Sequence, residues 1–512
     1  MIFTRLEMTR WHGEVIALLV GAAVPLAFAP FGFYPIAFMA LGVLFICWRG
    51  ISARRAFFRG GLFGMGMFGT GVTWIFISIH EYGYVNLALS LFLTTLFVLV
   101  LSCFPALCGW LAVRLCNTRR FANPWRVMVL VYPAAWVLLE WVRGWFLTGF
   151  PWLNLGYSQI DAPLGALAPI LGVYGVSYFV ALTAALLVAA FINGDRRIRG
   201  GYLTAGIGLW LAAALLGQVH WTEAQDKPLT VSLVQGNIPQ EIKWRPSMRE
   251  PTIELYTRLS STHWDSDLII WPETAIPLFY GQAQPYLEGL EALAREHGTE
   301  MLVGLVYQEE NSQQYFNTMV SVGGEPGMYH KNHLVPFTEY LPLSGLLQVF
   351  VDFMQVPMSD FSAGGADQPP LVLAGQKIGV SICYEDAFGE EVIRALPEAT
   401  VLVNVSNDAW FGGSIAPPQH LEIARMRALE SGRYLLRATN TGITAVIDPR
   451  GKLAAVAPQF KETVLTASIE PMNGATPYVH LGNIPVALLS AMILAGVFLG
   501  RGRAEKRGTT RQ

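Results

Sequence analysis

Long apolar stretches dominate the first 220 residues of the 512-residue chain, and one more occurs near its end. About 20 apolar residues in a helix span the roughly 30 Å hydrocarbon core of a bilayer. This pattern predicts eight transmembrane helices, at residues 14–29, 34–48, 57–79, 86–112, 127–142, 164–193, 202–219 and 483–500. The first two are short and contain prolines, so we expect tilted helices or a hairpin. A cleaved signal peptide is disfavoured, because six more apolar segments follow without a convincing cleavage site.

After Trp221 the pattern changes to short apolar runs that alternate with helical periodicity. Runs of strand length occur in TVSLVQGNIP, DLIIWPE, MLVGLVY, FNTMVSV, KIGVSICYED and VLVNVSND, and helical patterns occur at 283–297, 388–396 and 418–432. Strands separated by helices indicate an α/β domain in which helices cover sheets. We therefore predict a membrane domain at 1–220 with seven transmembrane helices and a globular domain at 221–480. Residues 481–512 are predicted to form an eighth transmembrane helix and a basic tail.

The charged residues support this division. They make up only 14% of the chain, against roughly a quarter in soluble domains. Residues 222–480 contain 16 Lys and Arg against 30 Asp and Glu, a balance of −14, whereas the rest of the chain has a balance of +12. Neither part shows the basic stripe with interleaved aromatics that nucleic-acid binders carry, so we expect no nucleic-acid partner.

The distribution of basic residues predicts the orientation in the membrane. Eighteen lysines and arginines flank the apolar segments on one side, whereas the short loops on the other side contribute only Arg143. Because loops rich in Lys and Arg remain in the cytoplasm, we predict that both termini are cytoplasmic. The 221–480 domain is then on the opposite side of the membrane.

Three features of the apolar regions allow alternatives. Glu81 and Glu140 lie at ends of predicted helices, where a functional role is conceivable but solvation at the interface is the favoured interpretation. The loop at 143–163 is rich in aromatics and Gly, which is typical of an interfacial belt or of a lipid-facing lip. The segment 341–358 is apolar enough for either a buried helix or an arm that enters the membrane.

Candidate chemistry in the globular domain centres on three residue types. Cys383 is the one cysteine of residues 221–480 and follows a predicted strand. A lone thiol in an oxidising compartment suggests catalysis, but a small buried hydrophobe is an equal alternative. Glu273 ends the run DLIIWPE, and Lys331 and Glu339 lie in HKNHLVPFTEYLP. Nucleophilic catalysis needs a thiolate, a base that generates it and a cation for the developing oxyanion.

These motifs resemble a known superfamily. Glu, Lys and Cys occur in the order WPE, KNHLVPFTE and ICYED, followed by NVSNDAWFG at 404–412. This set resembles the carbon–nitrogen hydrolase (nitrilase) superfamily and, over essentially the whole chain, the family of bacterial apolipoprotein N-acyltransferases. The resemblance implies an α-helical polytopic membrane domain plus an α/β nitrilase-like domain folded as an α-β-β-α sandwich. It also implies location in the bacterial inner membrane, with the catalytic domain on the periplasmic side.

The resemblance implies a role for each catalytic residue. Glu273 is the general base and later the general acid, Lys331 stabilises the oxyanion, and Cys383 is the nucleophile.

Five further residues receive supporting roles from the same resemblance. Glu339 would hold Lys331, the backbone N–H of Tyr384 would bind the oxyanion, and Glu385 would support the site from behind the nucleophile. Trp244 and Trp410 match positions on loops over the active site, where they would contact substrate.

The implied reaction is acyl transfer in two steps. The donor is a phospholipid, namely the sn-1 chain of phosphatidylethanolamine, and the intermediate is a Cys383 thioester. The acceptor is the N-terminal amine of the diacylglyceryl-cysteine of an apolipoprotein. A membrane-anchored amidase that uses water as acceptor is the alternative enzyme, and a transporter or scaffold with an inactive domain is a third hypothesis.

We expect neither a metal nor a cofactor. His330 and His333 lie three residues apart without companion ligands, which is too few for a metal site. The chain also lacks a phosphate-binding glycine loop.

Overall fold

The computed structural model describes residues 10–116, 124–309, 312–340 and 360–509. Two compact units are present. The helical unit comprises the described residues up to Ile75, Leu87–Val219, and those from Leu481 onwards. The sheet unit comprises Phe76–Asn86 and His220–His480. The apolar segment predicted at 341–358 lies outside the described residues, so both interpretations of it stay predictions.

All eight predicted apolar segments are helical. The helices of the first 220 residues and of the C-terminal segment are α1 (Arg10–Ala23), α2 (Pro35–Cys47), α3 (Ala53–Gly71), α4 (Trp74–Ile77), α5 (Leu87–Cys116), α6 (Pro124–Arg143), α7 (Ala168–Ile192), α8 (Arg196–Leu216) and, at the C-terminal end, α15 (Ile484–Thr509). Among the described residues, Leu87–Cys116, Pro163–Ile192 and Arg196–Leu216 are long and apolar enough to cross a bilayer. The pair Ala53–Gly71 and Trp74–Tyr82, bent by 54°, becomes a fourth span if it is counted as one.

Close approach of α3 to its neighbours depends on glycine. A Cβ on Gly60 would lie 2.3 Å from the carbonyl oxygen of Pro105 in α5, and one on Gly66 would lie 2.2 Å from that of Leu18 in α1. Small residues let apolar helices pack through backbone contact where no hydrophobic effect drives their association in lipid. A side chain at either glycine would therefore separate α3 from a neighbour.

The expectation that Glu140 is solvated at the membrane interface is wrong. Glu140 is only 4% exposed and accepts hydrogen bonds from the Leu155 amide (3.0 Å) and the Trp136 indole (3.1 Å). The guanidinium of Arg143 donates to the carbonyl oxygens of Phe150 (2.7 Å) and Trp152 (2.6 Å). Glu81, in contrast, is exposed as expected.

These contacts also bear on the loop at 143–163, for which two interpretations were open. Trp145, Phe146 and Leu147 of this loop are exposed, and for them both interpretations stay predictions. Residues 151–159, in contrast, are buried in the helical unit and form neither an interfacial belt nor a lipid-facing lip. The physical reason is that irregular backbone among apolar helices needs internal hydrogen-bond partners. Glu140 and Arg143 supply them.

In its described residues, the sheet unit contains two six-stranded sheets. One has the strand order β13-β2-β3-β4-β5-β6, the other β12-β11-β10-β9-β8-β7, and β1 pairs with β14 separately. The strands are β1 (Thr222–Ala224), β2 (Leu229–Gln235), β3 (Leu268–Ile270), β4 (Glu300–Gln308), β5 (Tyr315–Val322), β6 (Met328–His330), β7 (Leu371–Leu373), β8 (Gln376–Ile382), β9 (Val401–Ser406), β10 (Leu435–Thr439), β11 (Ala445–Ile447), β12 (Leu453–Val456), β13 (Thr463–Ile469) and β14 (Met472–Gly474).

Helices cover the outer faces of both sheets. They are α9 (Gln240–Lys243), α10 (Arg249–Ser260), α11 (Tyr280–His297), α12 (Gly389–Val392), α13 (Ala416–Ser431) and α14 (Pro477–Leu481). Apolar side chains of both sheets, such as Leu233 and Val403, form the central core. Outer clusters join α10 and α11 to the first sheet and α13 to the second. The predicted α-β-β-α sandwich is confirmed.

Parallel pairing positions the candidate site. Strands β2, β3 and β4 run parallel in one sheet, and β8, β9 and β10 run parallel in the other. The carboxyl ends of parallel strands share one edge of a sheet, where ligands commonly bind. Glu273 follows β3 and Cys383 follows β8.

Candidate active site

Glu273 occupies a tight turn just beyond β3. The next residue, Thr274, has a φ of 47°, which is uncommon for a residue with a side chain. Gly304 in β4 makes room for this turn, because a Cβ there would lie 2.4 Å from the Pro272 carbonyl oxygen and 2.6 Å from the Thr274 nitrogen. The strained turn is therefore held against the neighbouring strand.

Both carboxylate oxygens of Glu273 have donors. Oε1 accepts a hydrogen bond of 2.6 Å from the Asn317 side-chain amide, and Oε2 accepts one of 2.8 Å from the Asn407 backbone N–H. The ammonium of Lys331 lies 3.7 Å from Oε1. Asn317 belongs to β5 and Asn407 directly follows β9, so residues of both sheets orient this carboxylate.

Lys331 directly follows β6 and is almost completely buried, with 1% exposure. Its Nζ is 2.8 Å from Glu339 Oε1. Burial alone would lower the pKa of Lys331, but Glu339, Glu273 and Cys383 together raise it above its ordinary value. A buried charge persists when it is paired in this way, so Lys331 is a permanent cation. The predicted contact between Lys331 and Glu339 is present.

Cys383 is the first residue after β8 and has a φ of 55°. Burial and the charge of Glu273 raise the pKa of its thiol, while Lys331 lowers it. The net pKa lies well above the ordinary value, so the resting sulfur is a thiol. These opposite influences on one sulfur place the acid, the amine and the thiol within electrostatic reach of one another. A thiol in this state needs a base before it can attack a carbonyl.

Glu385 connects the nucleophile to the lysine loop. Its Oε2 accepts a hydrogen bond from the Ile382 amide (2.6 Å), and Oε1 accepts from the amides of Asn332 (2.6 Å) and His333 (3.0 Å). Burial raises the pKa of this carboxyl to about 7, against the effect of these hydrogen bonds. It thus connects the segments on either side of the site, and its predicted support of the nucleophile stays a prediction.

Tyr384 has its side chain in an aromatic cluster. The ring centroid of Tyr384 lies 5.7 Å from that of His333 and 5.0 Å from that of Phe388. The predicted use of its backbone N–H as an oxyanion donor stays a prediction.

The two tryptophans lie on segments that contact Glu273. Trp244 is 47% exposed and follows Lys243. Trp410 lies three residues beyond Asn407, and its ring centroid is 6.4 Å from that of Tyr82. Their predicted contact with substrate is untested by this geometry.

Two family models match the chain. "Carbon-nitrogen hydrolase" matches residues 230–478, and "Apolipoprotein N-acyltransferase N-terminal domain" matches residues 20–186. The apolipoprotein N-acyltransferase of Methylococcus capsulatus is 47% identical and covers 96% of both chains. That of Nitrosomonas europaea is 46% identical over 96% of this chain and 99% of its own. The chain belongs to the apolipoprotein N-acyltransferase family. It is therefore an acyltransferase.

The sequence motifs missed a buried lysine in this acyltransferase. Lys243 is 2% exposed, and its ammonium donates to the Glu273 carbonyl oxygen (3.1 Å) and the Thr274 hydroxyl (2.7 Å). Burial lowers the pKa of Lys243 to about 8, although Glu273 acts in the opposite direction. The one available signal was its position next to Trp244 in the motif IPQEIKW.

Sequence reasoning also missed a buried charge network behind Cys383. Arg437 donates to Asp386 Oδ2 (3.1 Å) and Asp408 Oδ2 (3.0 Å). The His420 ring nitrogens lie 2.9 Å from Asp386 Oδ1 and 3.0 Å from Asp408 Oδ1. Two carboxylates and two cations of 2% exposure or less balance one another here. Only the polar residues in NVSNDAWFG, adjoining a buried strand, could have indicated it.

Proposed function

We propose that the protein transfers a fatty acyl chain from a phospholipid to the N-terminal amine of the diacylglyceryl-cysteine of apolipoproteins. The observation that supports this most is the convergence of Glu273, Lys331 and Cys383 at one edge of the sandwich. The names of the relatives support N-acylation of an apolipoprotein. The apolar helices support a location in a bilayer, in which both proposed substrates would be anchored.

The first step forms the acyl-enzyme. Glu273 removes the proton of the Cys383 thiol, and the thiolate attacks the ester carbonyl of the phospholipid, in our proposal at the sn-1 position of phosphatidylethanolamine. Lys331 and the Tyr384 N–H stabilise the negative oxygen of the tetrahedral intermediate; one such donor contributes about 3 kcal/mol. As the carbon–oxygen bond breaks, protonated Glu273 returns the proton to the departing lysophospholipid.

The second step forms the amide. After the lysophospholipid leaves, the acceptor amine attacks the thioester carbon, and Glu273 takes a proton from the nitrogen. The carbon–sulfur bond then breaks, and Glu273 returns the proton to sulfur, which restores the Cys383 thiol. Because the lysophospholipid leaves before the amine reacts with the covalent acyl-enzyme, we expect ping-pong kinetics.

The hydrogen-bond donors around Glu273 support its proposed use first as a base and then as an acid. Asn317 and the Asn407 amide hold the two oxygens. Glu339 is the nearer partner of Lys331, at 2.8 Å against 3.7 Å for Glu273. The ammonium is thus neutralised mainly by Glu339, which leaves Glu273 available as a base.

Intact-mass spectrometry tests the proposal. Incubation with phosphatidylethanolamine alone should add one acyl group to the Cys383 peptide, and a diacylglyceryl lipopeptide should then remove it as an amide product. We expect Cys383→Ala to abolish the adduct, and Glu273→Gln and Lys331→Ala to slow its formation at least 100-fold.

Two outcomes would contradict the proposal. N-acylation of lipopeptide by the Cys383→Ala enzyme would exclude the thioester route. Release of free fatty acid at the same rate with and without the amine would instead indicate an amidase-type enzyme that uses water as acceptor.

A further inference from the structure

A histidine outside the predicted set contacts the backbone of the nucleophile. His420, in α13, has Nδ1 at 3.0 Å from Asp408 and Nε2 at 2.9 Å from Asp386. Because a carboxylate oxygen accepts hydrogen bonds, each ring nitrogen must carry a hydrogen, and the ring is an imidazolium. The two aspartates raise the pKa of His420 to about 9 against burial and the charge of Arg437.

The imidazolium also reaches the carbonyl oxygen of Cys383. His420 Nε2, whose one hydrogen is shared with Asp386, lies 3.3 Å from this oxygen, and the side-chain amide of Asn404 donates to the same oxygen at 3.2 Å. Asn404 is fully buried, and its own oxygen accepts a hydrogen bond of 2.5 Å from Arg437. Two donors on a rigid, buried network therefore hold one carbonyl group.

This carbonyl belongs to the peptide group that ends in the Tyr384 N–H. A peptide group is planar, and in the trans form its C=O and N–H point in opposite directions. Holding the Cys383 oxygen therefore determines where the Tyr384 hydrogen points. Donors on the oxygen also polarise the peptide group, which strengthens the N–H as a donor.

We propose that His420, together with Asn404, is a positioning residue that aims the Tyr384 amide at the oxyanion of the acyl-transfer intermediate. The inference rests on the proposed function, because it concerns the same intermediate. His420 touches neither substrate nor sulfur in this role; it acts through the peptide plane. The strained φ of 55° at Cys383 makes such a restraint necessary.

Two reactions of the Cys383 sulfur distinguish a role of His420 in oxyanion stabilisation from a general structural effect of its substitution. Acylation by phosphatidylethanolamine passes through an oxyanion, whereas alkylation by iodoacetamide displaces iodide from carbon and forms none. We expect His420→Gln to slow acylation at least tenfold while the alkylation rate changes less than twofold. Both rates are followed by intact mass on the full-length protein.

Glu430→Gln is the matched control. Glu430 is a buried acid of the same helix, paired with Arg427 at 2.9 Å, so the variant also alters a buried charge in α13. We expect its ratio of acylation to alkylation to equal that of the wild type. If His420→Gln does not fold, Asn404→Ala removes the second donor, and the same fall in the ratio is expected.

The outcomes distinguish a failure of the role of His420 from a failure of the proposed function. Equal slowing of both reactions, or no slowing of acylation, would overturn the role of His420. Absence of any acyl adduct on the wild-type enzyme would instead overturn the proposed function itself.

Discussion

At the scale of single residues, each buried ionisable group of the site has a dedicated partner. Glu339 neutralises Lys331, backbone amides hold Glu385, and Asp386 and Asp408 hold His420. Burial of a charge without a partner would shift its pKa until it became neutral. The pairing therefore decides which groups carry a charge during catalysis.

The protonation of His420 predicts a pH dependence of stability. Its folded pKa of about 9 exceeds the ordinary value of 6.5, so the folded state keeps a proton that the unfolded state releases. The stabilisation is complete below about pH 6.5 and is lost as the pH rises through about 9, by at most roughly 3 kcal/mol at 1.4 kcal/mol per unit.

Thermal unfolding in detergent checks this expectation. Between pH 6.5 and 9 the wild type should lose more stability than His420→Gln, because the variant lacks the titrating imidazole and shares its other ionisable groups with the wild type. Parallel pH profiles for the two proteins would show that His420 contributes no such linkage.

At the scale of elements, α9 (Gln240–Lys243) holds the turn that carries the base. Lys243 bonds to the Glu273 carbonyl oxygen and the Thr274 hydroxyl, and Gln240 accepts a hydrogen bond of 2.8 Å from the Asn407 side chain. A short helix has little stability of its own, so these contacts keep α9 and the adjoining Trp244 next to the site.

We predict that Lys243→Met slows acyl-enzyme formation by roughly tenfold to a hundredfold. The variant fills a similar volume but donates no hydrogen bond to the strained turn at Thr274, so Glu273 loses its orientation. The rate is measured by intact mass with phosphatidylethanolamine. Lys377→Met is the control, because Lys377 forms an exposed ion pair of 3.0 Å with Glu398. Equal rates for both variants would refute a positioning role for α9.

At the scale of the whole molecule, the proposed orientation places residues 220–480 in the periplasm and the basic loops in the cytoplasm. Gly281 and Gly194 are exposed and have open space where a side chain would begin. Gly281 belongs to the sheet unit, and Gly194 adjoins the basic residues that open α8. Under the predicted orientation, these two positions would report on opposite sides of the membrane.

We predict different labelling of two cysteine variants in a background without the other exposed thiols. A membrane-impermeant maleimide should label Gly281→Cys in intact spheroplasts. The same reagent should label Gly194→Cys only after permeabilisation. The reverse pattern would mean that the excess of basic residues does not determine the orientation here.

Much of the fold and of the candidate site could be predicted from short stretches of the sequence. The apolar segments, the alternating strands and helices, and the motifs around Glu273, Lys331 and Cys383 are all properties of short stretches of sequence. Membrane insertion and strand burial depend on runs of about 5 to 20 residues, so both can be predicted from the sequence alone. Residue types needed for acyl transfer are recognisable for the same reason.

Only the tertiary structure decided the environment of the remaining polar groups. The burial of Glu140 depends on a loop up to 15 residues away, and the contact of His420 with Cys383 joins positions 37 residues apart. Lys243 and Glu273, whose carbonyl oxygen accepts its hydrogen bond, are 30 residues apart in the sequence. Whether a polar side chain is solvated or buried is determined by what packs against it, and those partners come from distant parts of the chain.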